Sequence, residues 1–108
     1  TAQRYGCRIE FRHLLTSPPT VNHAEPTRHL RRAAAAVLGE DNIVDDVTPL
    51  MASEDFAYML DHCPGSYFFL GHDGLSCHHP GFDFDDRILA DGAAIFLELV
   101  HQRLGGMR

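Results

Sequence analysis

Apolar and polar positions alternate from Tyr5 to Phe11: Tyr5, Cys7, Ile9 and Phe11 are separated by Gly6, Arg8 and Glu10. A period of two predicts a strand with one buried face. The stretch Thr16-Ser17-Pro18-Pro19-Thr20 ends it, because proline brings no N–H to a ladder. The period then lengthens. Leu30, Ala33, Ala34, Val37 and Leu38 form an apolar stripe at helical spacing. They predict a helix that Asn22 or His23 caps, that tolerates Pro26 in its first turn, and that stops at Gly39. The four alanines 33–36 fit that helix.

Residues 42–47 are a short strand candidate broken by Pro49. Ser53-Glu54-Asp55-Phe56 reads as a helix start, with Ser53 able to cap and two acids where the helix dipole favours negative charge. That helix is expected to run to about Asp61 and to stop before Pro64-Gly65. Ser66 to Leu70 is short and aromatic and predicts a buried strand. A Gly-, His- and Asp-rich loop follows from Gly71 to Phe84. The last element is a helix from about Arg87 to Leu104, capped by Asp85 or Asp86 and ended by Gly105-Gly106. Leu89, Ala93, Phe96, Leu97, Val100 and Leu104 make its apolar stripe; Ile88, Ile95 and Leu99 widen it, so the helix is expected to be well buried.

Composition adds limits. A chain of 108 residues can form one small domain or the tail of a larger one. Its 44% apolar and 22% charged residues are those of a soluble globular protein. With a formal net charge of −6, nucleic acid is not an expected partner. Arg28, Arg31 and Arg32 read as a solvated helix face. Three cysteines, Cys7, Cys63 and Cys77, form neither a disulfide framework nor a paired metal spacing, which suits a reducing, cytoplasmic setting. No run is apolar enough to span a membrane, and no secretory signal opens the chain. Thr1 stands where an initiator Met would, and a strand pattern follows almost directly. A piece of a longer protein is the expectation.

The loop around Cys77-His78-His79-Pro80-Gly81-Phe82-Asp83-Phe84 holds the candidate chemistry. An imidazole can ligate a divalent metal while its other nitrogen holds a neighbouring group. The alternative is a surface loop whose acids cap the final helix. No paired signature such as His-Glu-x-x-His is present, and one histidine cannot complete a site of about four ligands. A Cys77–His78 nucleophile pair is disfavoured, since adjacent side chains on extended chain point apart. Ser53, Glu54 and Asp55 are already explained by capping, although carboxylates can act as general bases. His13, His23, His29, His62, His72 and His101 are scattered and expected at the surface or at caps. The residues by themselves define an α/β or α+β piece with one unusual loop.

Three blocks in order carry a resemblance. Pro18-Pro19-Thr20-Val21-Asn22 precedes a helix; Leu50-Met51-Ala52-Ser53-Glu54-Asp55-Phe56-Ala57-Tyr58 leads through Pro64-Gly65 to Phe68-Phe69-Leu70-Gly71; His78-His79-Pro80-Gly81-Phe82-Asp83-Phe84-Asp85-Asp86 leads into a helix with Gly92-Ala93-Ala94. From about residue 5 to 104 the chain resembles the C-terminal part of the hippurate hydrolase and indole-acetyl-amino-acid hydrolase group, within the aminoacylase and carboxypeptidase G family of metallohydrolases.

The resemblance implies an α/β catalytic domain with an inserted ferredoxin-like lid. Residues 1–48 would end the lid or dimerisation domain, and residues 49–108 would return to the catalytic domain. It implies cleavage of the amide bond of N-acyl amino acids by water shared between a pair of divalent metals (zinc, manganese or cobalt), with a glutamate as general base. His78 matches the family's metal-ligand histidine. Ser53 and Glu54 would lie near the substrate mouth. The catalytic glutamate and the other ligands have no match in this segment, so the chain alone is expected to be inactive and to need the N-terminal half. A homo-oligomer joined through strand edges is a further implied partner. Asp85 departs from the pattern, where Asn is frequent. Two alternatives remain: a non-catalytic remnant acting at most as a dimerisation module, and an independent metal site built on His72, His78, His79 and loop aspartates.

Overall fold

The computed structural model describes residues 2–14, 17–45 and 48–105. Three α-helices organise it: α1 (Ala24–Leu38), α2 (Phe56–Leu60) and α3 (Arg87–Leu104). Short 3-10 turns stand at Ala2–Tyr5 and Glu40–Asn42. Helix α1 forms over the predicted span and buries Leu30, Ala33 and Ala34 of the predicted stripe. Gly39 ends it at φ 86°, a conformation that costs a residue with a Cβ, and its N–H closes the last turn on the Ala35 carbonyl at 2.9 Å.

Helix α3 packs on α1, and the faces decide the core. Leu30 and Ala34 of α1 meet Ile95 of α3, with Val37, Leu38, Ile43, Phe68 and Leu70 packed around them. Ile95 is the only buried residue on α3; Ile88, Gly92 and Leu99 flank it and are partly buried. This corrects the predicted stripe. Leu89, Phe96, Leu97, Val100 and Leu104 are 54–71% exposed. The physical reason is that α1 covers a single face of α3, the one at spacing 88, 92, 95 and 99. Gly92 belongs to that face, where a Cβ would come within 3.4 Å of Leu70.

The predicted strands are a second correction. Among the described residues none joins a ladder. Tyr5–Phe11 becomes a turn followed by irregular chain, leaving Ile9 59% and Phe11 82% exposed. In the 42–47 candidate, residues 40–42 turn and 43–45 are irregular, while Asp46 and Val47 lie outside the described residues. A strand exists only with a neighbour to share its N–H and C=O groups, and these stretches lie beside none. Arg31 of α1 nevertheless holds the second stretch, with both Asp45 oxygens at 2.9 Å and Glu40 at 2.9 Å.

Ser66–Leu70 is likewise outside any ladder, yet side chains tether it. The chain as a whole is extended, with a radius of gyration of 19.7 Å against about 13 Å for a compact chain of this length. Helix α1, placed by the sequence in the first of two segments, and α3, placed in the second, share one core.

Candidate functional site

The His78 loop is built between two anchored ends. At its entrance Leu70 packs into the α1–α3 core. At its exit the Asp85 carboxylate accepts from the Arg87 backbone N–H at 3.0 Å and from the Arg87 guanidinium at 2.6–3.0 Å. Arg87 therefore holds the Asp85 carboxyl down at about 2, first through the side-chain bonds and then through the backbone bond. Asp85, rather than Asp86, supplies the side chain that caps α3.

Between these ends, two His-x-Gly turns repeat. The Gly74 N–H donates to Nδ1 of His72 at 2.9 Å, and the Gly81 N–H donates to Nδ1 of His79 at 3.0 Å. A Cβ on Gly74 would sit 2.6 Å from the His72 ring, so a side chain there would push that ring out of the turn. The His72 ring also meets Phe82 edge-on at 5.7 Å. Further backbone bonds, His79 N–H to Ser76 and Phe82 N–H to His79, tighten the loop.

In His72 and His79 a backbone N–H thus engages the Nδ1 lone pair. His78 differs. Its backbone sits at φ 70°, the left-handed region, uniquely among the described non-glycine residues. Its side chain is exposed and makes no hydrogen bond among the described residues. Such a backbone conformation costs about 1–2 kcal/mol for a residue with a Cβ and persists only where the surrounding turns impose it. One imidazole with both nitrogens open is a suitable metal donor. Among the described residues, no three His, Cys, Asp or Glu come together to hold an ion.

Ser53 and Glu54 stand at the start of α2. Ser53 is exposed, and the cap it was expected to provide comes from Glu54, whose Oε1 accepts from the Phe56 N–H at 3.1 Å. Beside them stands Tyr67. Burial, and next the Glu54 carboxylate, push the Tyr67 phenol up; Cys77 adds to this. Its ring lies 5.7 Å from Phe56 and 5.3 Å from Phe69. Tyr67 thus packs on the Phe56 side of the Ser53–Glu54 corner and, through Phe69, lies just ahead of the loop.

The tether of Tyr67 was not legible as such. Asn22 donates from Nδ2 to the Tyr67 carbonyl at 2.7 Å and accepts at Oδ1 from the Tyr67 N–H at 2.7 Å. His23 donates its N–H to the Gly65 carbonyl at 3.0 Å, and its Nδ1 accepts from the Gly65 N–H at 3.2 Å. Thr27 and Ser66 hydroxyls pair at 3.1 Å. The helix-cap signal at Asn22-His23 hid this role: His23 is the N-cap residue, but its side chain makes no capping bond. The one usable signal was a tyrosine opening the run Tyr67-Phe68-Phe69.

Residues 6–102 match peptidase family M20/M25/M40, and the chain belongs to that family. It is similar to the putative amidohydrolase YhaA of Bacillus subtilis, with 32% identity over 84% of this chain and 24% of that protein. It is similar to IAA-amino acid hydrolase ILR1-like 2 of Arabidopsis thaliana, with 32% identity over 81% of this chain and 21% of that protein. It is also similar to the hippurate hydrolase of Campylobacter jejuni, with 29% identity over 91% and 26%. A different printed activity, a putative glutamate–cysteine ligase of Rhodococcus jostii, goes with a protein of which the chain covers 12%, at 34% identity over 88% of this chain. The chain spans about a quarter or less of the length of these relatives. No solved structure matches it. No helix among the described residues is long and apolar enough to cross a membrane.

Proposed function

We propose that these residues form the C-terminal portion of a metal-dependent amidohydrolase that cleaves the amide bond of N-acyl amino acids. The observation that carries this reading is His78: an open imidazole on a left-handed backbone, in a family-matched chain, flanked by histidines that their own loop has committed. The names of relatives that act on hippurate and on indole-acetyl amino acids support the substrate class.

In this reading His78 is one ligand of a divalent metal site (zinc, manganese or cobalt), and the remaining ligands and the general base come from the rest of the protein. The bound metal would polarise the amide carbonyl and activate water. This chain's own part is to hold the His78 imidazole in place and to keep His72 and His79 engaged by their own turns. Glu54, bonded to the Phe56 N–H, would shape the substrate mouth with Ser53 rather than move a proton. The sheets of the α/β catalytic domain and of the ferredoxin-like lid would supply the neighbours that the predicted strands lack. The lid would end at about residue 48 and the catalytic domain would resume at 49, with α1 of the first segment packed on α3 of the second. Three exposed free cysteines suit a reducing cytoplasm, and the bare alternation of Tyr5–Phe11 suits an edge that pairs in a homo-oligomer.

The test is the His78→Ala variant of the full-length protein, assayed for metal content and for hydrolysis of N-benzoylglycine and indole-acetyl amino acids. Metal content and turnover should both fall sharply. Retention of both would sink the assignment.

A further inference from the structure

We infer that Asn22 is a positioning residue for the metal loop, acting through Tyr67. This rests on the reading of His78 as a metal ligand and goes one step beyond it.

An amide side chain that donates to a residue's carbonyl and accepts from its N–H satisfies that residue as a neighbouring strand would. Asn22 does this to Tyr67 at 2.7 Å in both directions. His23 repeats the two-way pairing at Gly65, two residues earlier. The result is a false ladder. Side chain and backbone at the start of α1 hold residues 65 and 67, which a real strand would otherwise hold. A one-residue slip would turn every following side chain to the other face, so this ladder sets the register of the whole stretch.

That register decides what reaches the loop. Phe68 goes to the core and meets Phe96 at 5.8 Å, and Leu70 packs beside it. Tyr67 goes to Phe56 and Phe69 instead, with ring centroids 5.7 and 5.3 Å away. The loop begins at Gly71, directly after this fixed stretch, and is pinned again at Asp85. Within it, the turns at His72 and His79 lie on either side of His78, and the His79 N–H closes on the Ser76 carbonyl across it. With the entrance moved, the loop's internal bonds can persist while the imidazole points elsewhere. Asn22 touches neither metal nor substrate. Its effect is on where a ligand stands, so it should appear in metal affinity and kcat rather than in KM.

The experiment uses the full-length protein with zinc as the probe. It compares Asn22→Leu, which keeps the volume and removes both bonds, with Val37→Ala, which weakens α1 away from the ladder. Asn22→Leu should lose about tenfold in zinc affinity, with kcat falling alongside and KM held within about twofold. Val37→Ala should lower the melting temperature and leave zinc affinity and kcat in place. The inference is overturned if Asn22→Leu loses only melting temperature, or if Val37→Ala loosens zinc equally. Asn22→Asp guards against a variant that does not fold: its carboxylate keeps the bond from the Tyr67 N–H and loses the one to the carbonyl, so its zinc affinity should fall between the other two. A His78→Ala protein that keeps its zinc would instead overturn the metal assignment, and it separates that failure from a failure at Asn22.

Discussion

The amide of Asn22 closes on the backbone of Tyr67 from both sides, with its Nδ2 2.7 Å from the carbonyl oxygen and its Oδ1 2.7 Å from the nitrogen. The bonds span 45 residues of sequence and join the start of α1 to the stretch that feeds the His78 loop.

Stability should register this directly. Asn22→Ala leaves the Tyr67 peptide with two open groups, and each net hydrogen bond is worth about 0.5–1.5 kcal/mol. A loss of about 1–2 kcal/mol in the full-length protein is expected from urea unfolding, shared by two partly solvated bonds. Thr27→Val removes the 3.1 Å contact to Ser66 and the 2.8 Å bond to the carbonyl of His23, just ahead of α1. It should cost less, because neither leaves a backbone group of the 65–67 stretch unpaired. A Thr27→Val loss that exceeds the Asn22→Ala loss would contradict this order.

The two faces of α3 predict opposite outcomes for one kind of change. Ile95 is 1% exposed against α1, and Leu97 is 71% exposed. In the 108-residue chain, Ile95→Asp puts a carboxylate into the Leu30–Ala34 contact and should abolish most of the helical circular dichroism. Leu97→Asp should leave the signal intact and reduce binding of a hydrophobic dye, since it removes exposed apolar surface. If both changes unfold the chain alike, the assignment of faces is wrong.

The same helix shows what a sequence carries and what it withholds. The bounds of α1 and α3 were legible, since caps, stop signals and a period near 3.6 are local properties of the chain. Which face of α3 turns inward was not. Leu89, Phe96, Leu97 and Val100 are as apolar as Ile88, Ile95 and Leu99, and only the position of α1 and the gap at Gly92 choose between them. Strands at 5–11 and 66–70 depend on neighbours, so alternation alone could not form them. In the loop, the cluster of histidines marked His78, His79 and the aspartates as a group. The resemblance singled out His78, and the backbone bonds from Gly74 and Gly81 are what set His72 and His79 apart from it in geometry. Asn22 was read as a helix cap because the local pattern for a cap and for this tether is the same residue in the same place.

Acid should loosen the start of α3. Arg87 lowers the Asp85 carboxyl from 3.8 to about 2. A carboxylate depressed by folding contributes stability above its unfolded pKa, and that contribution is lost as pH falls through the folded value. The loss therefore belongs between about pH 4 and pH 2. Arg87 is 82% exposed, so solvent screens the pair and the effect should be small and reduced by salt. Urea midpoints measured across this window should fall for the native sequence and fall less steeply for Asp85→Asn. Parallel slopes would show that Asp85 is not held by Arg87.

His78 allows a test that separates backbone from metal. At φ 70° a residue with a Cβ sits in the left-handed region, at a cost of about 1–2 kcal/mol that glycine does not incur. Glycine loses more conformational freedom on folding, by about 0.5–1 kcal/mol relative to alanine. His78→Gly should therefore be more stable than His78→Ala by about 0.5–1 kcal/mol once these oppose each other. Both variants remove the imidazole, so both should lose zinc to the same degree. Melting temperatures of the metal-free full-length proteins, taken beside zinc titrations, give the two readouts independently. Equal zinc loss with glycine the more stable would mean that the loop bears backbone strain to present this one imidazole. If alanine proves the more stable, the left-handed turn is not the conformation the loop adopts, and the rigid presentation of His78 goes with it.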